Sequence, residues 1–391
     1  MTLAGALARL HARLACYASA VFLPSVPGTL HSNWPDFLLR KPLAKLFFHR
    51  LKRALYLRLT GQRQRLAPTI PAPTQRILWV YLGMPQLGDS IMDLSARLRF
   101  SAAHFKVDLY SVEPIAAWYR GDPFFGATYS DAAALDFSRY DFVLLEALSW
   151  KCMRFKARHL PEQKFLALQG FYYGPEFNRL EFGYNAVAHY GGSAAVSPGP
   201  IRPVFNLQLD HGAEQREQRT VALVVGGVAA YRTYAHWEEF IALVLRREPG
   251  THIVLIGSAN GRALADDLAR KFAPSQRIVN EVATQSIPEV FARIRDAALL
   301  VCADGGLMHL GRASQTPILA LLAGPIHPLM RFCASECATA LHAPASVSDI
   351  PAQQVFNEYL QLRQAAQVGL HCVFLGAEPG CTTRQVLAER A

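Results

Sequence analysis

The chain has 391 residues, 51% of them hydrophobic, and a formal net charge of +10 at pH 7. That length holds two domains, and that apolar content fills two cores. The charge is concentrated: residues 40–65 carry nine Lys or Arg and no Asp or Glu, so the remainder is nearly neutral and the even basic field of a nucleic-acid binder is excluded. Seven cysteines are too few for a disulfide scaffold and point to a reducing compartment. Cys333, Cys337, Cys372 and Cys381 run as C-x3-C and C-x8-C, which matches no zinc pattern, and no metal is expected. No apolar run reaches the roughly 18 residues a spanning helix needs. Ala18-Ser19-Ala20 lies inside the first apolar stretch rather than after it, so this segment is expected to be retained, with the protein in the cytoplasm.

Residues 1–74 read as a basic extension and linker. Leu39, Leu43, Leu46, Phe47, Leu51, Leu55 and Leu59 recur at helical spacing, with Lys41, Lys45, Lys52 and Arg53 mostly between them and Pro42 in the first turn. Two readings stand: a helix lying on an anionic membrane surface through residues 39–65, or a helix packed on its own domain with its charged side in water. Pro68, Pro71 and Pro73 mark the linker.

From residue 75 to 210 the pattern is of strands alternating with helices. Ile77–Leu82 is a fully apolar strand. The loop Gly83–Ser90 follows it, then a helix over about Ile91 to Phe100. Val107–Tyr110, Phe142–Leu145 and Phe165–Leu168 are further short strands. A second alternating unit runs from 211 to 365, with 366–391 as a tail. Its strands are Val221–Val225, His252–Ile256, Leu299–Ala303 and Pro317–Leu322; its helices include Trp237–Arg247 and Arg262–Phe272. The fold class is therefore α/β: two Rossmann-like parallel-sheet domains with a basic helical N-terminal extension. The loops at the carboxyl ends of the strands are expected to face a cleft.

Three strand-end loops carry candidate chemistry. Gly83 and Gly88 have the G-x4-G spacing of a P-loop, but Asp89 stands where that motif needs Lys, so a triphosphate site is excluded. A carboxylate at such a corner suits a general base toward a hydroxyl nucleophile, or it simply caps the helix. Gly226 and Gly227 permit close approach to a ligand, and Arg232 offers a planar fork for phosphate oxygens. Gly257 and Ser258 end the next strand and would border a nucleoside. In Asp304-Gly305-Gly306-Leu307-Met308-His309 a buried strand stops at an acid, two glycines turn the chain, and a helix begins with a histidine in its first turn. That start suits a diphosphate. No Asp-x-Asp triplet and no GxGxxG fingerprint occur. No divalent metal and no nicotinamide or other cofactor is expected.

In order, Ile77–Leu98, Arg232–Phe240, Asp304–Ala313 and Pro317–Pro328 resemble glycosyltransferase family 9, the bacterial heptosyltransferase family, over roughly residues 75–365. The resemblance implies a GT-B fold and inverting transfer from a nucleotide-diphosphate sugar, typically ADP-heptose, to a lipopolysaccharide core or related glycan. On this reading Asp89 matches the catalytic base. Gly226, Gly227, Arg232, Gly257, Ser258, Asp304, Gly305, Gly306 and His309 line the donor side, and Gly88 is the candidate on the acceptor side. The implied partners are that donor, a glycolipid or polysaccharide acceptor, and an anionic membrane surface. The implied location is peripheral, on the inner membrane of a Gram-negative bacterium. Two departures stand out: Arg232 occupies a position commonly Lys, and Tyr234-Ala235 replaces the usual Trp-Pro. The alternative is a non-catalytic assembly partner that binds a nucleotide sugar or glycolipid.

Overall fold

In a computed structural model the chain forms two compact units, one of residues up to 200 with 206–208, the other of 201–205 and everything from 209. The structure describes residues 5–6, 43–83, 86–100, 105–169, 178–191, 199–210, 216–324, 326, 328–333, 336–367 and 373–375.

The first unit is built on a parallel sheet of β1 (Arg76–Tyr81), β2 (Lys106–Ser111), β3 (Phe125–Tyr129), β4 (Phe142–Ala147) and β5 (Lys164–Gln169). Their order is β3-β2-β1-β4-β5. Ile77, Leu78, Trp79, Val80 and Tyr81 are all fully buried, as are Phe142 to Leu145. This is what a strand covered on both faces requires, and it is why these runs are apolar throughout rather than alternating. The chain winds outward from β1 to β3 and then returns to lay β4 against the other side of β1. The winding direction reverses between β1 and β4, where parallel strands part at their carboxyl ends and leave a crevice.

Helix α1 (Leu43–Leu59) precedes this sheet. It is docked on one side: Leu57 is buried, the Tyr56 ring lies 4.6 Å from that of Trp150, and Arg53 Nε donates to the Leu148 carbonyl at 2.7 Å. Past the helix, Lys156 Nζ donates to buried Gln62. The chain then runs along β5, where Leu66 pairs with Phe165. Yet Phe48, Leu51, Leu55 and Leu59 remain 51–77% exposed. The packed-helix reading therefore holds for one side of the helix, while the other side stays open to solvent. Residues 39–42 of that pattern, like the apolar N-terminal stretch at 14–23, lie outside the described residues.

The helix after β1 departs from expectation. Helix α2 runs Leu87–Leu94, with Gln86 as its N-cap, and a 3-10 segment, Ser95–Arg99, continues it. It starts four residues before Ile91, because Gly88 is accommodated within the first turn instead of ending a loop. Helices α3 (Glu113–Trp118), α4 (Trp150–His159) and α5 (Arg179–Gly191) follow.

The second unit contains β6 (Glu217–Val224), β7 (His252–Ile256), β8 (Ile278–Asn280), β9 (Ala297–Ala303), β10 (Ile318–Ala323), β11 (Ala338–Ala343) and β12 (Val373–Leu375). They form one parallel sheet in the order β12-β11-β10-β9-β6-β7-β8. Its helices are α6 (Trp237–Arg247), α7 (Arg262–Lys271), α8 (Ile287–Asp296), α9 (Gly306–Ala313) and α10 (Ala352–Gln367). Trp237, Phe240, Ile241 and Val244 of α6 pack with Val355, Phe356 and Tyr359 of α10 in one buried cluster. Here the winding reverses between β6 and β9. No helix among the described residues is long and apolar enough to cross a membrane.

Candidate active site

Asp89 in the first sheet, and Gly226, Gly227, Arg232 and the Asp304–His309 stretch in the second, follow the strands that flank each switch point; Gly257 and Ser258 follow β7, one strand further out. In the first unit Asp89 is the third residue of α2, where the positive end of the helix favours a carboxylate. It does not cap the helix. Its Oδ1 instead accepts from Arg179 Nη1 at 2.5 Å, and its Oδ2 takes no hydrogen bond among the described residues. Arg179, the first residue of α5, also grips Asp93 one turn further along α2, through Nε to Oδ1 at 3.1 Å and Nη2 to Oδ2. Gln169 Nε2 donates to Asp93 Oδ1 at 3.0 Å and the Tyr81 hydroxyl to Oδ2 at 3.1 Å. The Asp93 side chain is 4% exposed and that of Asp89 15%, so Asp89 is the carboxylate a ligand can reach.

Glu146 of β4 lies under the same loop. Its Oε2 accepts from the Gly83 amide at 2.9 Å, and a side chain at 83 would collide with it. Burial, then the neighbouring Asp93 charge, pushes the Glu146 carboxyl up to about 8. Burial raises Asp93 as well, against the pull of Arg179. Two acids thus contact one guanidinium, and a third, Glu146, lies within reach of its charge. The low-dielectric setting keeps Glu146 protonated at neutral pH, which relieves the repulsion.

In the second unit Arg232, in the loop after β6, reaches Asp304 at the end of β9 with Nη1 to Oδ2 of 3.1 Å. Arg331 holds the same carboxylate, Nε to Oδ1 at 2.7 Å and Nη2 to Oδ2 at 3.4 Å. Arg331 and Asp304 are buried, whereas the Arg232 side chain is 31% exposed. Two guanidiniums on one carboxylate leave one unit of positive charge beside the first turn of α9, where the amides lack helical partners. Such an arrangement attracts an anion. His309 is the fourth residue of that helix, and it is buried. Arg312 Nη1 lies 2.9 Å from its Nδ1. Arginine only donates, so Nδ1 accepts and the neutral ring carries its proton on Nε2. Glu336 fixes Arg312 in turn with two bonds, of 2.7 and 2.6 Å.

The glycines make room for the protein's own backbone. Gly226 has φ +86°, and a Cβ there would lie 2.6 Å from the Gly261 Cα. A Cβ on Gly227 would meet the Arg232 carbonyl, and one on Gly257 the Val225 carbonyl at 2.5 Å. The protein's own backbone takes up the room these residues leave, so they knit the β6, β7 and Arg232 loops together. Ser258 is exposed, with its hydroxyl on the Asn260 side chain. Gly305 is extended at φ 170°, not sharply turned, and open space surrounds the position a Cβ would take. Gly306 begins α9. Gly88 is buried within α2.

Asp93, Glu146, Arg179, Arg331, Arg312 and Glu336 were not singled out by sequence. Asp93 carried a signal, four residues after Asp89 and so on the same helix face. Arg312 likewise follows His309 by three. Arg179, Arg331 and Glu146 belong to no motif. Among the described residues no group of three or more His, Cys, Asp or Glu is placed to hold a metal ion. Cys333 is buried and Cys337 partly so; Cys372 and Cys381 lie outside the described residues.

Residues 205–330 match the family model described as Glycosyltransferase family 9 (heptosyltransferase). That span contains Arg232, Asp304 and His309 and stops one residue short of Arg331. Solved structures agree in fold. The glycosyl transferase family 9 protein from Veillonella parvula aligns at a TM-score of 0.58 and 13% identity, over 76% of this chain and 99% of its own. E. coli ADP-heptose lps heptosyltransferase II gives 0.54 and 16%, over 75% and 100%. E. coli heptosyltransferase WaaC with ADP gives 0.57 and 18%, also over 75% and 100%. No curated protein matches the sequence. What these likenesses show is the fold, that of the GT-B proteins. Over residues 205–330 the chain resembles that family, as the Asp304 motif implied.

Proposed function

We propose that the protein transfers a sugar, with inversion, from a nucleotide-diphosphate donor to a hydroxyl of a lipopolysaccharide core or related cell-surface glycan. ADP-heptose is the donor we favour, because the matched family is described by heptosyl transfer and a solved neighbour holds ADP. The observation that carries the reading is Asp89: a partly exposed carboxylate at a switch point, one oxygen tied to Arg179 and the other without a partner among the described residues.

In this reaction the acceptor hydroxyl attacks the anomeric carbon and its proton passes to Asp89 Oδ2. The bond to the leaving diphosphate breaks on the opposite face. Arg232, the amides of α9 and the Nε2–H of His309 offset the charge that builds on the diphosphate, from positions fixed before reaction. Gly226, Gly227, Gly257 and Ser258 shape the loops beside the nucleotide, and Gly305, with no side chain, leaves the donor room at Asp304. Gly88 borders the acceptor. The test is nucleotide release from a panel of ADP-, UDP- and GDP-sugars, with and without a deacylated core oligosaccharide. Acceptor-dependent release from one donor supports the reading; none from any donor removes it.

We further propose that α1 seats the protein on the cytoplasmic face of the inner membrane. Phe48, Leu51, Leu55 and Leu59 form an exposed apolar row within a segment that carries nine cations and no acids. This combination is attracted to anionic lipid and then buries its apolar row at the headgroup boundary. It would place the site beside a glycolipid acceptor.

A further inference from the structure

The Asp89 carboxylate is short and sits on the first turn of a short helix, and aligning it requires more than α2. All three guanidinium nitrogens of Arg179 are committed. Nε and Nη2 form a fork on Asp93, and Nη1 alone extends to Asp89. The fork fixes the plane of the guanidinium, because a two-point contact allows no rotation about a single bond. Asp93 is fixed in its turn by Gln169 and Tyr81, from the ends of β5 and β1. Charge follows the same path. Asp93 offsets the charge of Arg179, so the contact to Asp89 is made by an ion pair and not by a lone cation. Among the described residues burial pushes the neighbouring Glu146 carboxyl up to about 8 and the Tyr81 hydroxyl well above its ordinary value, so neither adds a charge near neutral pH.

We propose that Arg179 is a positioning residue for the proposed base: pinned by Asp93, it holds Oδ1 of Asp89 and aims Oδ2 at the acceptor hydroxyl. This inference rests on the transferase reading above and deepens it. Arg179 touches no reacting atom in this scheme. Its effect passes through the orientation of Asp89, and a displacement of about 1 Å at a reacting group costs on the order of 10²-fold in rate. Lysine cannot replace it, since a point charge on a flexible stem has no fork.

The experiment compares Arg179→Lys, Arg179→Ala, Asp93→Asn and Asp89→Asn in the full chain, reading kcat, donor KM and thermal midpoint. For Arg179→Lys, kcat is expected to fall roughly 10- to 100-fold with donor KM unchanged. Added guanidinium should restore part of the turnover of Arg179→Ala and none of that of Asp89→Asn. Wild-type kcat in either Arg179 variant overturns the proposal, as does a loss that guanidinium leaves untouched. If the Arg179 variants do not fold, Asp93→Asn, which keeps the side-chain volume, reads the same quantity. A lowered kcat at constant donor KM supports the clamp, and an unchanged kcat overturns it. Full turnover by Asp89→Asn is a separate failure, that of the base itself.

Discussion

Arg232 and Asp304 meet 3.1 Å apart across the point where the second sheet reverses its winding, one from the loop after β6 and the other from the end of β9. Arg331 holds the other side of the same carboxylate. The pair therefore divides into a buried half, Asp304, and a partly exposed half, Arg232, which the proposed function sets against the donor.

That division predicts different outcomes for Arg232 and Asp304. Arg232→Ala should weaken ADP binding about tenfold or more while unfolding stability stays within about 0.5–1 kcal/mol, the value of a partly exposed ion pair. Asp304→Ala strands Arg331 without its carboxylate in a buried setting and should cost about 3–5 kcal/mol in urea unfolding. Equal stability losses in the two variants would contradict the division.

The glycines offer a second contrast. Gly226→Ala forces a side chain into φ +86° and against Gly261, and should cost at least about 1 kcal/mol of stability. Gly305→Ala has an ordinary extended φ and open space around it. It should fold like the wild type and lose donor affinity alone, by isothermal titration with ADP. Normal ADP binding by Gly305→Ala would remove Gly305 from the donor side.

Much of this was legible in sequence. β7 and α6 fall at the expected residues, because a fully apolar parallel strand and an amphipathic helix with Glu238 and Glu239 in its first turn are strong local signals. The Asp304 motif was legible as well. β8 was not: it has three half-exposed or exposed residues at a sheet edge. The start of α2 was missed because two glycines in six residues read as a loop. Arg179 and Glu146 were invisible for a deeper reason. Their roles come from contacts to residues 90 and 63 positions away, which only the sheet order creates.

Acid–base behaviour gives a third prediction. Glu146 rises from an ordinary 4.5 to about 8 on folding, so the folded state binds more protons between those values. Its contribution is complete below about pH 4.5 and fades as pH rises to 8. Asp93 shifts in the same direction. Unfolding free energy measured from pH 5 to 8 should therefore fall less steeply in Glu146→Gln than in the wild type. Identical slopes would show that Glu146 is not held protonated.

The membrane proposal is tested without deleting α1, since Arg53, Tyr56 and Leu57 dock that helix on the first unit. Replacing Phe48, Leu51, Leu55 and Leu59 with serine should leave the thermal midpoint nearly unchanged and abolish flotation with vesicles containing anionic phosphatidylglycerol. Undiminished flotation would assign the binding elsewhere.

The most direct test of the whole account is the rate of acceptor-dependent nucleotide release by the wild type and Asp89→Asn, with donor affinity measured on both. The account predicts a fall in turnover of about 10²–10⁴ at unchanged donor affinity. Turnover equal to the wild type in Asp89→Asn would contradict it.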